Sequence, residues 1–102
     1  MVDLPERFRL ELLHVVAKRP EVRRVILYGS RARGDANDRS DIDLAIKAPE
    51  ATGGQYADLA LFLRDESATL LDVDVVRLEN APPELKERIL ADGQVIYERG
   101  ER

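Results

Sequence analysis

Two apolar runs with almost nothing apolar between them set the first constraint on this chain. Val25-Ile26-Leu27-Tyr28 is short and nearly continuous, as a buried strand is. Ile42 to Lys47 sets Ile42, Leu44 and Ile46 in alternation with Asp43 and Ala45, continuing a phase begun at Asp41. About a dozen Arg- and Asp-rich residues separate the runs, with no apolar periodicity. A parallel pair needs a crossover helix whose apolar face packs on the sheet. The polar gap offers none, so parallel pairing of these two strands is disfavoured. The expected fold is α+β, a small mixed sheet of three to four strands with helices on one face.

The flanking segments complete the order α-β-short α-β-α-β-α-β. Asp3 or its neighbour caps a first helix with Pro5 in its first turn, and Phe8, Leu12, Val15 and Val16 share a face. Pro20 stops it. Pro49 and Gly53-Gly54 mark a loop, after which Leu59, Phe62, Leu63 and Leu70 fall near helical spacing. Val73 to Leu78 reads as a β-branched third strand. Asn80 to Pro83 opens a last helix with Leu85, Ile89 and Leu90 as its apolar positions, and Asp92-Gly93 ends it. Val95-Ile96-Tyr97 is expected as an edge strand, with ordinary sheet packing or a homodimer contact both open. Residues 99–102 are expected to fray. Residues 1–102 are expected to form a single domain.

Composition narrows the function classes. Cysteine is absent, which excludes disulfides, thiol catalysis and cysteine-ligated zinc. The longest apolar run is Leu59 to Leu63, too short to cross a bilayer, and no signal-peptide pattern opens the chain. The expected location is cytoplasmic. Residues 22–47 carry six Arg/Lys against four Asp, a balance of +2, while residues 65–102 carry ten acids against five bases, a balance of −5. That distribution disfavours an extended nucleic-acid surface and leaves room for a local anion pocket near residues 29–39. The single histidine, His14, reads as structural, since no metal-ligand spacing surrounds it.

The chemistry-bearing residues lie close together. Gly29-Ser30 follows the first strand, where glycine permits a sharp turn and close backbone approach to a ligand. The serine hydroxyl and the amides that follow suit phosphate oxygens, and Arg33 adds a guanidinium one turn later. Asp41 and Asp43 point the same way, because strand residues two apart share a face. Paired carboxylates stay ionised together only beside a cation, and an all-oxygen pair suits Mg²⁺ or Mn²⁺. Asp72 and Asp74 repeat the spacing on the next strand, and either can supply a third carboxylate for a two-metal centre.

Gly29-Ser30, ten residues, then Asp41-x-Asp43 resembles the motif of the minimal nucleotidyltransferases of the DNA polymerase beta-like superfamily. The fuller strings Leu27-Tyr28-Gly29-Ser30-Arg31-Ala32-Arg33-Gly34 and Ser40-Asp41-Ile42-Asp43-Leu44 are similar to that family throughout. The resemblance implies that Gly29, Ser30 and Arg33 hold a nucleoside triphosphate. It implies that Asp41, Asp43 and Asp74 are catalytic and bind two Mg²⁺ ions, with Val73-Asp74-Val75 fitting the family's third carboxylate better than Asp72 does. The implied reaction moves AMP from ATP to a hydroxyl and releases pyrophosphate. Little chain remains to hold an acceptor, and the minimal layout resembles the antitoxin of HEPN–MNT toxin–antitoxin pairs. The implied partner is then a helical HEPN toxin, with one of its tyrosines as acceptor and a hetero-oligomer as the assembly. Two alternatives stay open: an idle antitoxin acting by contact, and an enzyme on RNA or a small molecule with a separate acceptor subunit.

Overall fold

A computed structural model describes residues 3–100. Its elements run α1 (Glu6–Ala17), β1 (Arg24–Tyr28), α2 (Ser30–Arg33), β2 (Ile42–Lys47), α3 (Gly53–Leu61), β3 (Val73–Arg77), α4 (Pro83–Asp92) and β4 (Gln94–Glu98). The four-stranded sheet has the order β3-β2-β1-β4. β1 pairs antiparallel with both β2 and β4, and β2 pairs parallel with β3. The polar gap after β1 therefore makes an antiparallel connection, as its lack of an apolar stripe requires. The parallel pair is bridged by α3, which does carry one.

The sheet is mixed and the class α+β, as expected, and its two faces are covered differently. Val25, Leu27, Ile42, Leu44, Ile46, Val73 and Val75 form one face under α1 and α3, whose Phe8, Leu12, Val16, Leu59 and Ala60 complete the main core. This is the expected helix-covered face. The alternate residues Ile26 and Ala45 point the other way, and α4 covers them with Ile89. Helices on one face thus describes α1 and α3 but not α4. The cause is the short continuous apolar run of β1, which has an apolar residue on each face and buries both.

Several local expectations change. Gly53-Gly54 lies not in a loop but in the first turn of α3, capped reciprocally by Thr52 and Gln55: Gln55 N donates to Thr52 Oγ1 at 3.0 Å and Thr52 N to Gln55 Oε1 at 2.9 Å. α3 ends in a π-helical turn, Phe62–Glu66, so Leu70 falls outside the helix and is fully exposed. Asp3 does not cap α1; its carboxylate accepts from Arg31, and Pro5 stands at the N-cap. Leu90 faces outward rather than into the core. Arg99 is anchored, donating to the carbonyls of Val16, Arg19 and Val22 at 3.0–3.2 Å, which ties the chain end to the exit of α1. Of the tail expected to fray, Glu101 and Arg102 lie outside the described residues. Of the edge-strand apolar residues, Ile96 and Tyr97 pack on the core and Val95 is half exposed.

Gly93 fixes how closely α4 approaches the sheet. A Cβ there would overlap the Ile89 carbonyl oxygen and the Ile26 side chain. Gly93→Ala should therefore lower stability by about 1–3 kcal/mol through overpacking. Gly53→Ala meets nothing within 4 Å and should leave the midpoint unchanged or slightly higher. Urea unfolding of the two variants checks the contrast.

Candidate nucleotidyl-transfer site

The strand registers bring the predicted carboxylates together. Tyr28 lies opposite Asp43 across the antiparallel pair, and Asp43 lies opposite Asp74 across the parallel pair. Laterally paired residues share a face, so Tyr28, Asp43 and Asp74 form a row on the α4 side of the sheet. Asp74, not Asp72, is the register partner of Asp43. Asp41 is exposed at the mouth of β2, near enough to act on Asp43. Asp72 precedes β3, where its carbonyl accepts from Ile42 N at 2.9 Å.

Gly29 is required here twice. Its φ of +78° is rarely adopted by other residues, and a Cβ would overlap the Asp43 carboxylate. The turn after β1 is thus closed down directly onto Asp43. Partial burial raises the Asp43 pKa, the Asp74 and Asp41 carboxylates raise it further, and Arg33 offsets part of the rise. The Tyr28 phenol is pushed up to about 12, first by burial and then by Asp43 and Asp74, with Arg88 pulling the other way. It therefore stays a neutral hydrogen-bond donor at physiological pH.

The loop that delivers Asp41 and Asp43 is held by Arg31, only 5 % exposed. Its Nε donates to the Ser40 carbonyl at 3.1 Å, and Nη2 to the carbonyls of Asp38 at 3.2 Å and Asn37 at 3.4 Å. Nη1 reaches the Asp3 carbonyl at 3.2 Å and carboxylate at 3.1 Å. One guanidinium thus gathers a turn that lacks hydrophobic contacts of its own. The motif spacing assigns Arg31 no role of its own; the burial of a helical position between Ser30 and Ala32 emerges only once α2 is placed. On the other side Gln94 Nε2 donates to the Ala32 carbonyl at 3.0 Å, joining α2 to β4.

Two clefts flank the carboxylate row. The first, about 400 Å³, is lined by Tyr28, Gly29, Ser30, Arg33 and Asp43, and by Leu85, Arg88 and Asp92 of α4. This is large enough for a small-molecule ligand. The second, about 370 Å³, is lined by Asp41, Asp72 and Asp74 with Arg64 and Asp65 from the π-helical turn. Ser30 and Arg33 thus join Gly29 and Asp43 in one cleft, while Asp41 and Asp74 open into the other. α4 contributes wall residues that the motif spacing does not announce. His14 is exposed and lines a separate surface depression with Lys18 and Gln55.

Among the described residues no three acidic or histidine side chains are grouped tightly enough to hold a metal ion by themselves. The donor chemistry nonetheless fits a hard divalent cation. Asp43 and Asp74 present oxygens from adjacent strands in mutual repulsion, and Mg²⁺ is commonly held by one or two carboxylates with substrate phosphates completing its shell.

The sequence profile of the polymerase beta nucleotidyltransferases matches residues 11–102. The chain belongs to this family. Among solved structures, a toxin–antitoxin with AMP-PNP matches at 28% identity and a TM-score of 0.70, over 94% of this chain and 75% of that one. A minimal nucleotidyltransferase matches at 31% identity and a TM-score of 0.60, over 84% and 86% of the two chains. The structure of a tri-AMPylated Shewanella oneidensis HEPN toxin in complex with MNT antitoxin matches at 23% identity and a TM-score of 0.61, over 89% and 73%, and so speaks to the fold alone. No curated protein matches the chain. Among the described residues no helix is long and apolar enough to cross a membrane.

Two outcomes test this geometry. Arg31→Ala should cost about 3 kcal/mol or more, since it strips a buried charge from its acceptors. Arg31→Lys should recover only part of that loss, because an ammonium cannot span the same carbonyls. Asp43→Asn should raise the melting temperature without cation by relieving repulsion, yet lack the Mg²⁺-dependent rise expected of the wild type with ATP. Thermal unfolding with and without Mg²⁺ measures both effects.

Proposed function

We propose that this chain is a metal-dependent nucleotidyltransferase that moves AMP from ATP to a hydroxyl of a separate protein. The proposed acceptor is a tyrosine of a HEPN-type partner toxin. The observation that carries the reading is the row Tyr28–Asp43–Asp74 beneath the Gly29 turn, with a cleft on either side. The toxin–antitoxin with AMP-PNP, 28% identical, supports an adenine nucleotide as donor and a toxin as partner, and the tyrosine acceptor follows from the resemblance carried by the Gly29-Ser30 and Asp41-x-Asp43 motif.

In this reading the triphosphate enters the Gly29 cleft. Ser30 and the backbone of the Gly29 turn receive its oxygens, and Arg33 neutralises part of its charge. Asp41, Asp43 and Asp74, with the phosphates completing the shell, would hold Mg²⁺, which when bound would offset the phosphate charge and make the acceptor hydroxyl more acidic. The acceptor oxygen comes in from the Asp74 side, in line with the α-phosphorus. The new O–Pα bond forms as the Pα–O bond to the β-phosphate breaks, pyrophosphate leaves, and the hydroxyl proton passes to an Asp74 carboxylate oxygen.

The second cleft also favours protein over RNA as acceptor. Asp41, Asp65, Asp72 and Asp74 outnumber Arg64 there, which repels a phosphate backbone and suits a basic polypeptide surface.

Incubating the protein with ATP, Mg²⁺ and its co-encoded helical partner should add the mass of an adenylyl group to the partner. Asp41→Asn with Asp43→Asn should abolish the added mass while leaving complex formation possible. Inhibition of the partner by wild type with no added mass would replace this reading with an idle antitoxin acting by contact. Asp74→Asn should cost about 3 kcal/mol of transition-state stabilisation, roughly a hundredfold in rate, and Asp72→Asn far less. Equal damage at the two positions would show that the third carboxylate is misassigned.

A further inference from the structure

α4 carries a row of side chains, of which Leu85 packs on the apolar cluster beneath the helix while Arg88 and Asp92 do not belong to that cluster. Ile89 and Gly93 dock the helix on the sheet, Ile89 fully buried and Gly93 in close approach to Ile26. Leu85, Arg88 and Asp92 recur three and four residues apart, so they form one stripe on the helix surface. All three line the cleft that also holds Gly29, Ser30 and Arg33. Docking through Ile89 turns this stripe toward the glycine turn across from it.

Arg88 stands out within the stripe. It is exposed on the cleft wall, close enough to act on the Tyr28 phenol. No hydrogen bond or ion pair occupies its guanidinium among the described residues. Of the other cations of the region, Arg31 is buried on carbonyls, and Arg33 shares its charge with the Asp35 carboxylate, which its Nε bonds at 3.3 Å. The cleft floor is anionic through Asp43, so a polyphosphate needs positive charge from the walls. A guanidinium offers paired donors to phosphate oxygens, which an unengaged Arg88 can give without breaking an existing contact.

We propose that Arg88 is a polyphosphate-binding residue that closes the nucleotide cleft from the α4 side, opposite Ser30 and Arg33. This rests on the reading of the cleft as the nucleotide site and adds to it the residue that gives the second wall its phosphate affinity. α4 then takes part in ligand binding as well as in covering the sheet. Nucleotide binding should accordingly protect α4 from local opening.

Calorimetric titration with two probes, Mg²⁺-ATP and inorganic tripolyphosphate with Mg²⁺, tests the proposal on the full chain. Arg88→Ala should weaken both by a similar factor, about 10- to 100-fold for a lost charge-assisted contact, at an unchanged unfolding midpoint. Arg88→Lys should fall between wild type and alanine, since it keeps the charge and loses the paired donors. If Arg88→Ala leaves both affinities unchanged while Ser30→Ala or Arg33→Ala lowers them, the Arg88 assignment is wrong and the cleft reading stands. A loss for ATP alone would make Arg88 a contact of the nucleoside and also overturn the assignment. No binding of either probe by the wild type would remove both.

Discussion

Everything at this site follows from one pairing, the parallel ladder of β2 on β3 that puts Asp43 beside Asp74. Two carboxylates on adjacent strands of a half-covered face repel, and the fold accepts that repulsion at the edge of a well-packed core. Ile42, Leu44 and Ile46 are fully buried on the opposite face and hold β2 in register. A slip of one residue would turn every core side chain outward, so hydrophobic packing fixes the acidic row as firmly as it fixes the core. The stability lost to like charges is the kind of local cost that sites built for charged ligands carry.

The loop chemistry completes the arrangement from both sides. Gly29 closes the turn onto Asp43 because it lacks a Cβ, and Arg31 gathers the turn at residues 37–40 by its hydrogen bonds. Neither device contributes apolar burial. Both position a backbone that would otherwise have no reason to take one conformation. The result is a carboxylate row reached from two directions, through the α4 cleft and through the cleft at the π-helical turn. A transfer reaction between two separate molecules needs such an arrangement, since donor and acceptor must reach the same atoms without occupying the same space.

Much of this is readable in the chain. The alternation of Ile42, Leu44 and Ile46 and the apolar run at Val25 identify the two central strands, and the polar gap predicts their antiparallel pairing. The spacing of Gly29-Ser30 and Asp41-x-Asp43 leads to the family. What escapes has a physical reason in each case. The Thr52/Gln55 capping box is written in the chain, but Gly53-Gly54 directly after Thr52 has the composition of a loop. Leu70 continues the helical spacing numerically, but the π-helical turn ends the helix before it. Arg31 carries a charge, as surface residues do, and only its placement in α2 against the turn at residues 37–40 buries it. The continuous apolar run of β1 calls for a cover on the second face, but that α4 supplies it, and with it the stripe of Leu85, Arg88 and Asp92, depends on tertiary packing.

The claim on which the rest stands is that the Asp43–Asp74 row beneath the Gly29 turn is where a nucleotide-bound divalent cation is held. Paramagnetic broadening of backbone amide signals by Mn²⁺ in the presence of ATP tests it most directly. Broadening should centre on Gly29, Ser30, Asp43 and Asp74, fall away along β1 and β2 toward Arg24 and Lys47, and disappear in Asp43→Asn. Broadening centred elsewhere, or unchanged in that variant, would contradict the account.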